Sequence, residues 1–373
     1  MRCSCFGTGN WNKRGSGGGA LHGIDGDWLP DVNHFSFNEI RSATDNFHPS
    51  NKIGRGGFGT VYKGILRSGK QVAIKTLSAQ SKQGVREFLN EINTLSKVRH
   101  PNLVELIGCC VEGTNRTLVY EYVENSSIDR VIGESSRGSK SSVIKLDWDK
   151  RSAICLGIAK GLAFLHEELS PHIVHRDIKG SNILLDKDFN PKIGDFGLAK
   201  LFPDDITHIS TRIAGTTGYL APEYALGGQL TTKADVYSFG VVLLEIISGR
   251  STGKSIWQGM QKVVLEWAWE LYEEGKILEV VDPELRDFPE DKVIRHIKVA
   301  FFCTQASANR RPVMSQVVNM LSRNIRLNDE ILTAPGLFQD SASNSGVTKK
   351  LSSDSSSQQM SSVPVTITEV APR

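Results

Sequence analysis

The chain has 373 residues, of which 39% are hydrophobic and 23% are charged, and these values are ordinary for a globular protein. A chain of this length exceeds the size at which one hydrophobic core keeps growing, so two lobes with additional tails are expected. Its 44 Lys and Arg residues are scattered and stand against 41 Asp and Glu, which leaves a net charge of +3 and excludes an extended nucleic-acid interface.

Apolar runs and cysteines exclude two further classes of protein. The longest apolar run, 239–247, is far shorter than the ~20 residues that span a bilayer, and the N-terminus lacks the apolar segment of a secretory signal. We therefore expect a cytoplasmic protein. Six cysteines fit reduced thiols in that compartment better than a disulfide framework, and none has the spacing of metal ligands.

Two cysteines at the N-terminus form a separate case. Cys3 and Cys5 lie beside Arg2 and Phe6, a setting typical of reversible palmitoylation. Met-Arg stands where N-myristoylation requires Met-Gly, so only one kind of lipid anchor is available. Since stable attachment usually takes two signals, a free protein and one held peripherally at the cytoplasmic face of the plasma membrane are both open.

The first predicted element is a short helix. Residues 1–34 are rich in Gly, Ser and Asn and have little apolar periodicity, which predicts a flexible N-terminal segment. The composition changes at Phe35, and residues 35–46 follow a helical pattern that Ser36 is placed to cap. The folded part of the chain is predicted to begin with this lead-in helix.

Three glycines, Gly54, Gly56 and Gly59, stand in G-x-G-x-x-G order. The motif alone is ambiguous, because dinucleotide-binding folds place the same glycines at the start of a helix. Here residues 60–65 are mainly β-branched or aromatic and a turn leads to a second apolar stretch, 71–77, so the glycines are predicted to lie in a strand hairpin. Backbone without Cβ atoms can lie close over phosphate groups.

A lysine in the second strand has a predicted partner. Lys75 lies among apolar residues, and the helix predicted over 85–98 carries Glu91 on its apolar face. A carboxylate on a core-facing stripe is costly unless it is paired. Lys75 is the expected partner, and the pair would hold the lysine against α- and β-phosphates. Glu87, one turn earlier, is the alternative.

Two further strands are predicted over 102–110 and 116–123. The second runs into a Glu-Asn-Ser-Ser connection, where a small and a large lobe would join. Backbone groups of Glu121 and Val123 are therefore candidates to contact an adenine edge. Residues 133–145 are rich in Ser, Gly and Lys and are predicted to form a solvated insertion.

The polar stretch 173–197 follows a helix that Asp147 is predicted to cap and that runs over 148–168. Two short buried strands in the stretch are separated by a polar turn, so the groups at their ends should emerge on one rim of a hairpin. Five side chains suited to handling a phosphorylated nucleotide lie in it: Arg176, Asp177, Lys179, Asn182 and Asp195.

The residue types in this stretch predict its chemistry. Asp195 and Asn182 supply the hard oxygen ligands that suit Mg²⁺. Lys179 supplies a positive charge for a phosphoryl group, and Asp177 is left to accept a proton from an attacking hydroxyl, the role that this spacing has in phosphoryl transfer. The order and spacing of the set favour this interpretation over a chance match.

A long segment, 198–219, follows with few apolar anchors, and loops of this length inside a compact domain are usually functional. Phosphorylation of a hydroxyl in this segment would add a charge that Arg176 could receive, which would order the loop. The candidate sites are Thr207, Ser210 and Thr211.

The remaining pattern is helical and ends in a polar tail. Thr232 is predicted to cap a helix over 233–248 that is apolar on nearly every side. Asp235 is placed to accept backbone N–H groups of the polar stretch 173–197, called the catalytic stretch from here on. Residues 327–373 are the predicted disordered, Ser-rich tail. Amphipathic helices are predicted over 265–275, 292–305 and 313–323.

Over 47 to about 323 the chain resembles a eukaryotic protein kinase, with the main signature motifs in order. The segments 35–47, 118–123, 215–223 and 235–240 are similar to those of plant receptor-like cytoplasmic kinases related to Pelle, in particular the cold-responsive protein kinase type. The resemblance implies an α+β, two-lobed protein-kinase fold. Its small lobe, 47–123, would be an antiparallel β-sheet with one key helix, and its large lobe, 124–326, would be mainly α-helical.

The resemblance also implies site residues. The catalytic set is Asp177 as the base with Lys179, Lys75 and Glu91, and the metal ligands are Asn182 and Asp195. The nucleotide contacts are Ile53, Gly54, Gly56, Gly59, Val61, Ala73, Lys75, Tyr120 as gatekeeper, Glu121, Val123 and Leu184. Thr216 is implied to support Asp177, and Glu223 to pair with Arg311. Lys179, two residues after Asp177, matches the class that phosphorylates Ser and Thr.

The implied cofactors are ATP and Mg²⁺, with Mn²⁺ as a second metal that could serve. The implied partners are protein substrates and an upstream receptor kinase, with no nucleic acid, and the protein would be a monomer or a transient dimer. One alternative is a pseudokinase scaffold, which predicts the loss of a catalytic residue, although all the catalytic residues are present. The other is a dinucleotide-dependent oxidoreductase, which would need the glycines to lie at the start of a helix.

Overall fold

The computed structural model describes residues 32–56, 59–77, 82–135, 146–203, 208–252, 256–257, 260–261 and 263–337. Cys3, Cys5, Thr207, most of the predicted insertion and the tail beyond Leu337 lie outside the described residues. In those ranges no helix has both the length and the apolar character needed to cross a bilayer. The expected α+β architecture, a sheet-based small lobe and a helical large lobe, is confirmed.

The small lobe is built on one six-stranded sheet. Its elements are β1 (Asn33–His34), α1 (Phe37–Ala43), β2 (Lys52–Gly56), β3 (Gly59–Ile65), β4 (Gln71–Leu77), α2 (Lys82–Leu95), β5 (Leu106–Glu112) and β6 (Asn115–Glu121). The strand order is β1-β5-β6-β4-β3-β2, antiparallel except where β1 pairs with β5. The glycine motif therefore lies in the β2–β3 hairpin, as predicted.

The strand predicted over 102–110 begins later than expected. Residues before Leu106 bond instead to the large lobe, where Val104 N donates to Ile193 O at 2.9 Å and Ile193 N donates to Asn102 O at 2.9 Å. The backbone groups of this segment are thus satisfied across the lobe boundary rather than in the small-lobe sheet. This pairing connects the two lobes.

Helix α1 covers one face of the sheet and α2 covers the other. Ser36 and Glu39 form a reciprocal capping box at the start of α1, as the sequence predicts for Ser36. Ile40 packs into a separate apolar cluster with Val72 and Ile74, whereas α2 packs on the main core. The composition predicts flexibility through residue 34, but β1 already extends the sheet, since a two-residue strand carries no periodic signal.

The large lobe is mainly helical. Its helices are α3 (Ile128–Ser135), α4 (Trp148–Ala163), α5 (Pro222–Gly227), α6 (Thr232–Ser248), α7 (Val264–Glu273), α8 (Glu290–Cys303) and α9 (Met314–Ser322). Its strands are β7 (His172–Val174), β8 (Ile183–Leu185), β9 (Pro191–Ile193), β10 (Lys200–Phe202), β11 (Ile209–Ser210), β12 (Gln229–Leu230), β13 (Ile256–Trp257) and β14 (Met260–Gln261). The predicted polar hairpin is the antiparallel pair β8–β9.

Helix α6 is buried along nearly its whole length, as its uniformly apolar pattern predicts. Its cap is Thr231, whose hydroxyl accepts from Lys233 N at 3.1 Å, so the prediction of Thr232 as the cap is wrong by one residue. Both threonines suit a cap, and the side chain whose backbone is extended, Thr231, takes the position. The predicted cap Asp147 is confirmed on α4.

Residues 327–337 pack on the large lobe, whereas the composition predicts a disordered tail from residue 327. Asp329 forms an ion pair with Lys298 at 2.5 Å, and Tyr237 Oη donates to Gly336 O at 2.5 Å. These long-range contacts order a segment that has no helical or strand pattern of its own. The packed chain therefore continues beyond α9.

Candidate active site

One face of the small-lobe sheet brings nucleotide-site candidates together. Val61 pairs with Lys75 across β3 and β4, and Ala73 pairs with Tyr120 across β4 and β6. Because cross-strand partners and residues two apart share a face, all four side chains project to the same side. Gly54 pairs with Val61, which places the glycine hairpin beside this group.

The other predicted nucleotide contacts surround this face. A Cβ on Gly59 would lie 2.0 Å from Thr76 O, so only glycine permits this close strand pairing. Glu121 N already donates to Glu105 O at 3.0 Å, which leaves carbonyl groups and the Val123 N–H as candidates for an adenine edge. Ile53 is exposed in β2, and Leu184 lies half-buried in β8. Gly56 is the last residue of β2.

Lys75 bridges two acidic groups from different elements. Its Nζ lies 2.6 Å from Glu91 Oε1 and 2.7 Å from Asp195 Oδ1. The predicted pairing with Glu91 is present, and Tyr120 Oη also donates to the second oxygen of Glu91. Burial would lower the pKa of Lys75, but the charges of Asp195 and Glu91 outweigh it and raise that pKa. Lys75 is therefore held as a cation in the cleft.

Glu87, the alternative partner, forms no ion pair with Lys75 among the described residues and accepts from Gln83 Nε2 at 3.0 Å. Burial raises the pKa of Glu87 to about 7, because its charged form lacks sufficient compensation. The position of the carboxylate on α2 explains the choice. Glu91 lies where its carboxylate reaches Lys75 Nζ at 2.6 Å, whereas Glu87 lies one turn earlier on α2.

Asp177 is held by three donors. Thr216 Oγ1 donates to Asp177 Oδ1 at 2.8 Å, so the implied support by Thr216 is present. Lys179 Nζ lies 2.8 Å from Asp177 Oδ2, and Asn182 Nδ2 donates to the same oxygen at 3.1 Å. Lys179 Nζ also donates to Thr216 Oγ1 at 2.8 Å. The carboxylate is consequently fixed in orientation and lies beside a positive charge.

The backbone of the catalytic stretch is anchored on α6. Asp235 Oδ2 accepts from His175 N at 2.7 Å, and Asp235 Oδ1 accepts from Arg176 N at 2.8 Å, which confirms the predicted role of Asp235. His166 Nε2 lies 2.9 Å from Asp235 Oδ2. Burial would raise the pKa of Asp235, but these hydrogen bonds lower it. The anchor stabilises Arg176 at a φ of 71°, a conformation that is costly for a non-glycine residue.

Asp195 also adopts a left-handed conformation, with φ of 61°. Asn90 of α2 secures the turn that follows, since its Nδ2 donates to Phe196 O at 3.1 Å, Gly197 O at 3.0 Å and Ala199 O at 2.6 Å. Sequence reasoning missed Asn90, because a polar residue beside Glu91 on a helix reads as a solvated position. The only available signal was its place next to a residue already assigned to the site.

The predicted metal ligands emerge at the same hairpin. Gly194 N donates to Asn182 O at 2.9 Å, which joins the residue before Asp195 to Asn182. Desolvation in the cleft would raise the pKa of Asp195, but the positive charge of Lys75 outweighs this effect and lowers that pKa. An ionised carboxylate and an amide oxygen are the ligands that Mg²⁺ accepts beside phosphate oxygens. The residues fit that ion.

The predicted loop switch joins Arg176 to a phosphorylated residue of the loop, and it stays a prediction. Arg176 contacts the segment 198–219, called the activation segment from here on, at Leu198 O and Arg212 O, but no hydrogen bond among the described residues joins it to the side chain of Ser210 or Thr211. Ser210 is exposed in β11, and Thr211 N donates to Gly228 O at 3.1 Å. The guanidinium is instead engaged by Tyr224, which sequence reasoning did not single out.

A half-buried ion pair follows the segment at the start of α5. Arg311 Nη1 and Nη2 donate to the two carboxylate oxygens of Glu223 at 2.7 Å and 2.8 Å, so the implied pairing is present. Such a bidentate pair is geometrically specific. It fixes the start of α5 on the large lobe.

Residues 47–320 match the protein kinase domain family. The chain is 53% identical over 313 residues to cold-responsive protein kinase 1 of Arabidopsis thaliana. This alignment covers 84% of this chain and 80% of that protein. Two probable LRR receptor-like serine/threonine-protein kinases of the same plant are 55% and 51% identical, and the alignments cover 81% and 82% of this chain but only 29% of each relative. The chain belongs to the protein kinase family.

Proposed function

We propose that the protein is a serine/threonine kinase that transfers the γ-phosphoryl group of ATP to Ser or Thr hydroxyls of protein substrates. The arrangement of Asp177, Lys179 and Thr216 carries this proposal, because it presents one oriented carboxylate beside one ammonium group. The names of the relatives, which are serine/threonine kinases, support the choice of acceptor.

Each site residue has its own role in the proposed phosphoryl transfer. Asp177 orients the acceptor hydroxyl and takes its proton, and Lys179 offsets negative charge on the transferred group. Lys75, held by Glu91, contacts the α- and β-phosphates. Bound Mg²⁺, for which Mn²⁺ could substitute, would neutralise phosphate charge and would be held by Asn182 and Asp195.

A pseudokinase scaffold is not supported. That alternative requires the loss of a catalytic group, whereas Lys75, Asp177, Asn182 and Asp195 are all present and all four take part in the contacts of the cleft. A dinucleotide-dependent oxidoreductase is also unsupported, because Gly59 opens strand β3 rather than a helix.

The wider setting belongs to the same proposal. We infer that an upstream receptor kinase phosphorylates the loop at Thr207, Ser210 or Thr211 and that the protein acts in the cytoplasm as a monomer or transient dimer. Palmitoylation of Cys3 and Cys5 would place it at the cytoplasmic face of the plasma membrane. The test is a variant in which both Cys3 and Cys5 are replaced by Ser. If its membrane fractionation is the same as that of the wild type, these cysteines do not anchor the protein.

The test is incubation of the full chain with labelled ATP, Mg²⁺ and a general protein substrate, followed by phosphoamino-acid analysis. We expect phosphoserine and phosphothreonine from the wild type and no label from Lys75→Met, because the methionine cannot contact phosphates. Lys70→Met, at an exposed turn, is the matched control and should label normally. Label confined to tyrosine, or full labelling by Lys75→Met, would refute the proposal.

A further inference from the structure

Arg176 is held by neutral acceptors rather than by a carboxylate. Its Nη1 donates to Leu198 O at 3.2 Å and its Nη2 donates to Arg212 O at 2.8 Å. Its Nε and Nη2 also donate to Tyr224 Oη at 3.1 Å and 2.5 Å. Four of the five N–H groups of the guanidinium are thus engaged in the described part of the chain. An incoming phosphate would have to compete for them.

The Tyr224 hydroxyl is the centre of this network. Besides the two bonds from Arg176, it accepts from Ala214 N at 2.9 Å and donates to Arg212 O at 3.2 Å. The Arg176 guanidinium lies 5.6 Å from the centroid of the Tyr224 ring, and the tyrosine is only 1% exposed. One buried oxygen therefore joins the catalytic stretch, the segment before Thr216 and helix α5.

Loss of that oxygen would remove the acceptor of Arg176 Nε and of Ala214 N, and would leave the guanidinium only its bonds to Leu198 O and Arg212 O. Unsatisfied buried groups cost more than the hydrogen bond itself contributes, so the network would open toward water. Opening would release the segment that carries Thr216. Thr216 in turn orients Asp177 through the 2.8 Å bond described above.

We propose that Tyr224 is a positioning residue whose hydroxyl holds the activation segment on Arg176 before any residue of the segment is phosphorylated. The expected effect of Tyr224 on kcat rests on the proposed kinase activity, whereas its expected effect on the order of the activation segment does not. The hydroxyl accepts from Arg176 Nε and Nη2, and a loop phosphate would have to compete for these groups. A phosphatase-treated enzyme should therefore retain an ordered segment and basal activity.

The experiment compares phosphatase-treated full-length wild type with Tyr224→Phe and with a matched control, Tyr272→Phe on α7. The first readout is tryptic cleavage after Arg212 without ATP, which needs no catalysis. The second is kcat and the KM for ATP with a serine-containing protein substrate. Thermal melting is recorded for each variant, so that global unfolding is recognised.

We expect Tyr224→Phe to be cleaved after Arg212 at least tenfold faster than wild type. We also expect kcat to fall at least tenfold while the KM for ATP stays within twofold, because no nucleotide contact is touched. Tyr272→Phe should match wild type in both readouts. Either a cleavage rate or a kcat of Tyr224→Phe within twofold of wild type would overturn the proposal. If the wild type has no kinase activity, faster cleavage of Tyr224→Phe still supports the structural role of Tyr224, and only the proposed function is refuted.

A second variant guards against a Tyr224→Phe protein that fails to fold. Arg176→Lys keeps the positive charge but cannot reproduce the paired N–H groups on Tyr224 Oη. It should open the same tryptic site, and combining both changes should have no more effect than the larger one alone. An unchanged cleavage rate in Arg176→Lys, or additive effects in the double variant, would equally overturn the proposal.

Discussion

Asp235 and Glu245 are both buried carboxylates of α6, yet their neighbours favour opposite protonation states. Hydrogen bonds from His166 and the backbone overcome the burial of Asp235 and lower its pKa. Glu245 accepts from Tyr219 Oη at 2.7 Å and from Thr252 N at 2.6 Å, but burial dominates and raises the pKa of Glu245 to about 7. A single helix thus carries one permanent anion and one group that titrates near neutrality.

The raised pKa of Glu245 predicts a pH dependence of stability. Between about pH 4.5 and pH 7 the folded protein binds a proton at Glu245 that the unfolded chain has released, so stability falls as the pH rises through this window. Glu245→Gln keeps an acceptor for Tyr219 and Thr252 but cannot titrate. The decline in unfolding free energy between pH 5 and pH 7.5 should therefore be smaller in the variant by about 2–3 kcal/mol.

Urea unfolding at several pH values measures this difference, and comparison with wild type cancels the contribution of Glu87, which titrates in the same window. Parallel stability curves for the two proteins would show that Glu245 is ionised throughout.

Asn90 supports a prediction about the turn after Asp195. Asn90→Leu removes the donor to three carbonyl oxygens of that turn, so we expect a loss of about 1–3 kcal/mol in unfolding free energy and a clear fall in kcat. Denaturant unfolding and steady-state kinetics measure the two effects. Asn115→Leu, at the β5–β6 turn, is the control and should keep wild-type kcat. Equal kcat in both variants would assign Asn90 no role in positioning Asp195.

At the scale of elements, the lead-in helix belongs to the small lobe. Helix α1 is tied to the sheet by apolar packing and by Phe37 N, which donates to Glu112 Oε1 at 2.9 Å. With α2 on the opposite face, the sheet that carries Lys75 is enclosed on both sides. A sheet face left without α1 would expose Val72, Ile74 and Val119 to water.

Ile40→Ala tests this assignment. The side chain is fully buried, so we expect a loss of about 2–5 kcal/mol in unfolding free energy from transfer and cavity terms. Ile331→Ala, in which the residue is 57% exposed, is the matched control and should change stability by less than about 1 kcal/mol. Urea unfolding gives both values. Equal losses in the two variants would mean that α1 is not part of the folded lobe.

At the scale of the whole molecule, the sequence predicted the cleft better than its surroundings. The pairing of Lys75 with Glu91 and the anchoring by Asp235 followed from local patterns, because a polar group on an apolar face demands a partner. Asn90 carries no such signal, since its partners are backbone carbonyl groups distant in sequence. Tyr224 carries none either, since its hydroxyl meets the Arg176 side chain and the backbone of 212–214 only in the folded chain. The packing of residues 327–337 was likewise missed, because only tertiary contacts order that segment.

The central claim is that Asp177 acts in phosphoryl transfer and not in holding the nucleotide. The most direct measurement is the transfer rate of Asp177→Asn at saturating ATP and protein substrate, with ATP affinity measured separately and Asp188→Asn, an exposed turn residue, as the matched control. We predict a fall in kcat of about 10²–10⁴-fold with ATP affinity within a few-fold of wild type. Wild-type kcat in Asp177→Asn would contradict the account.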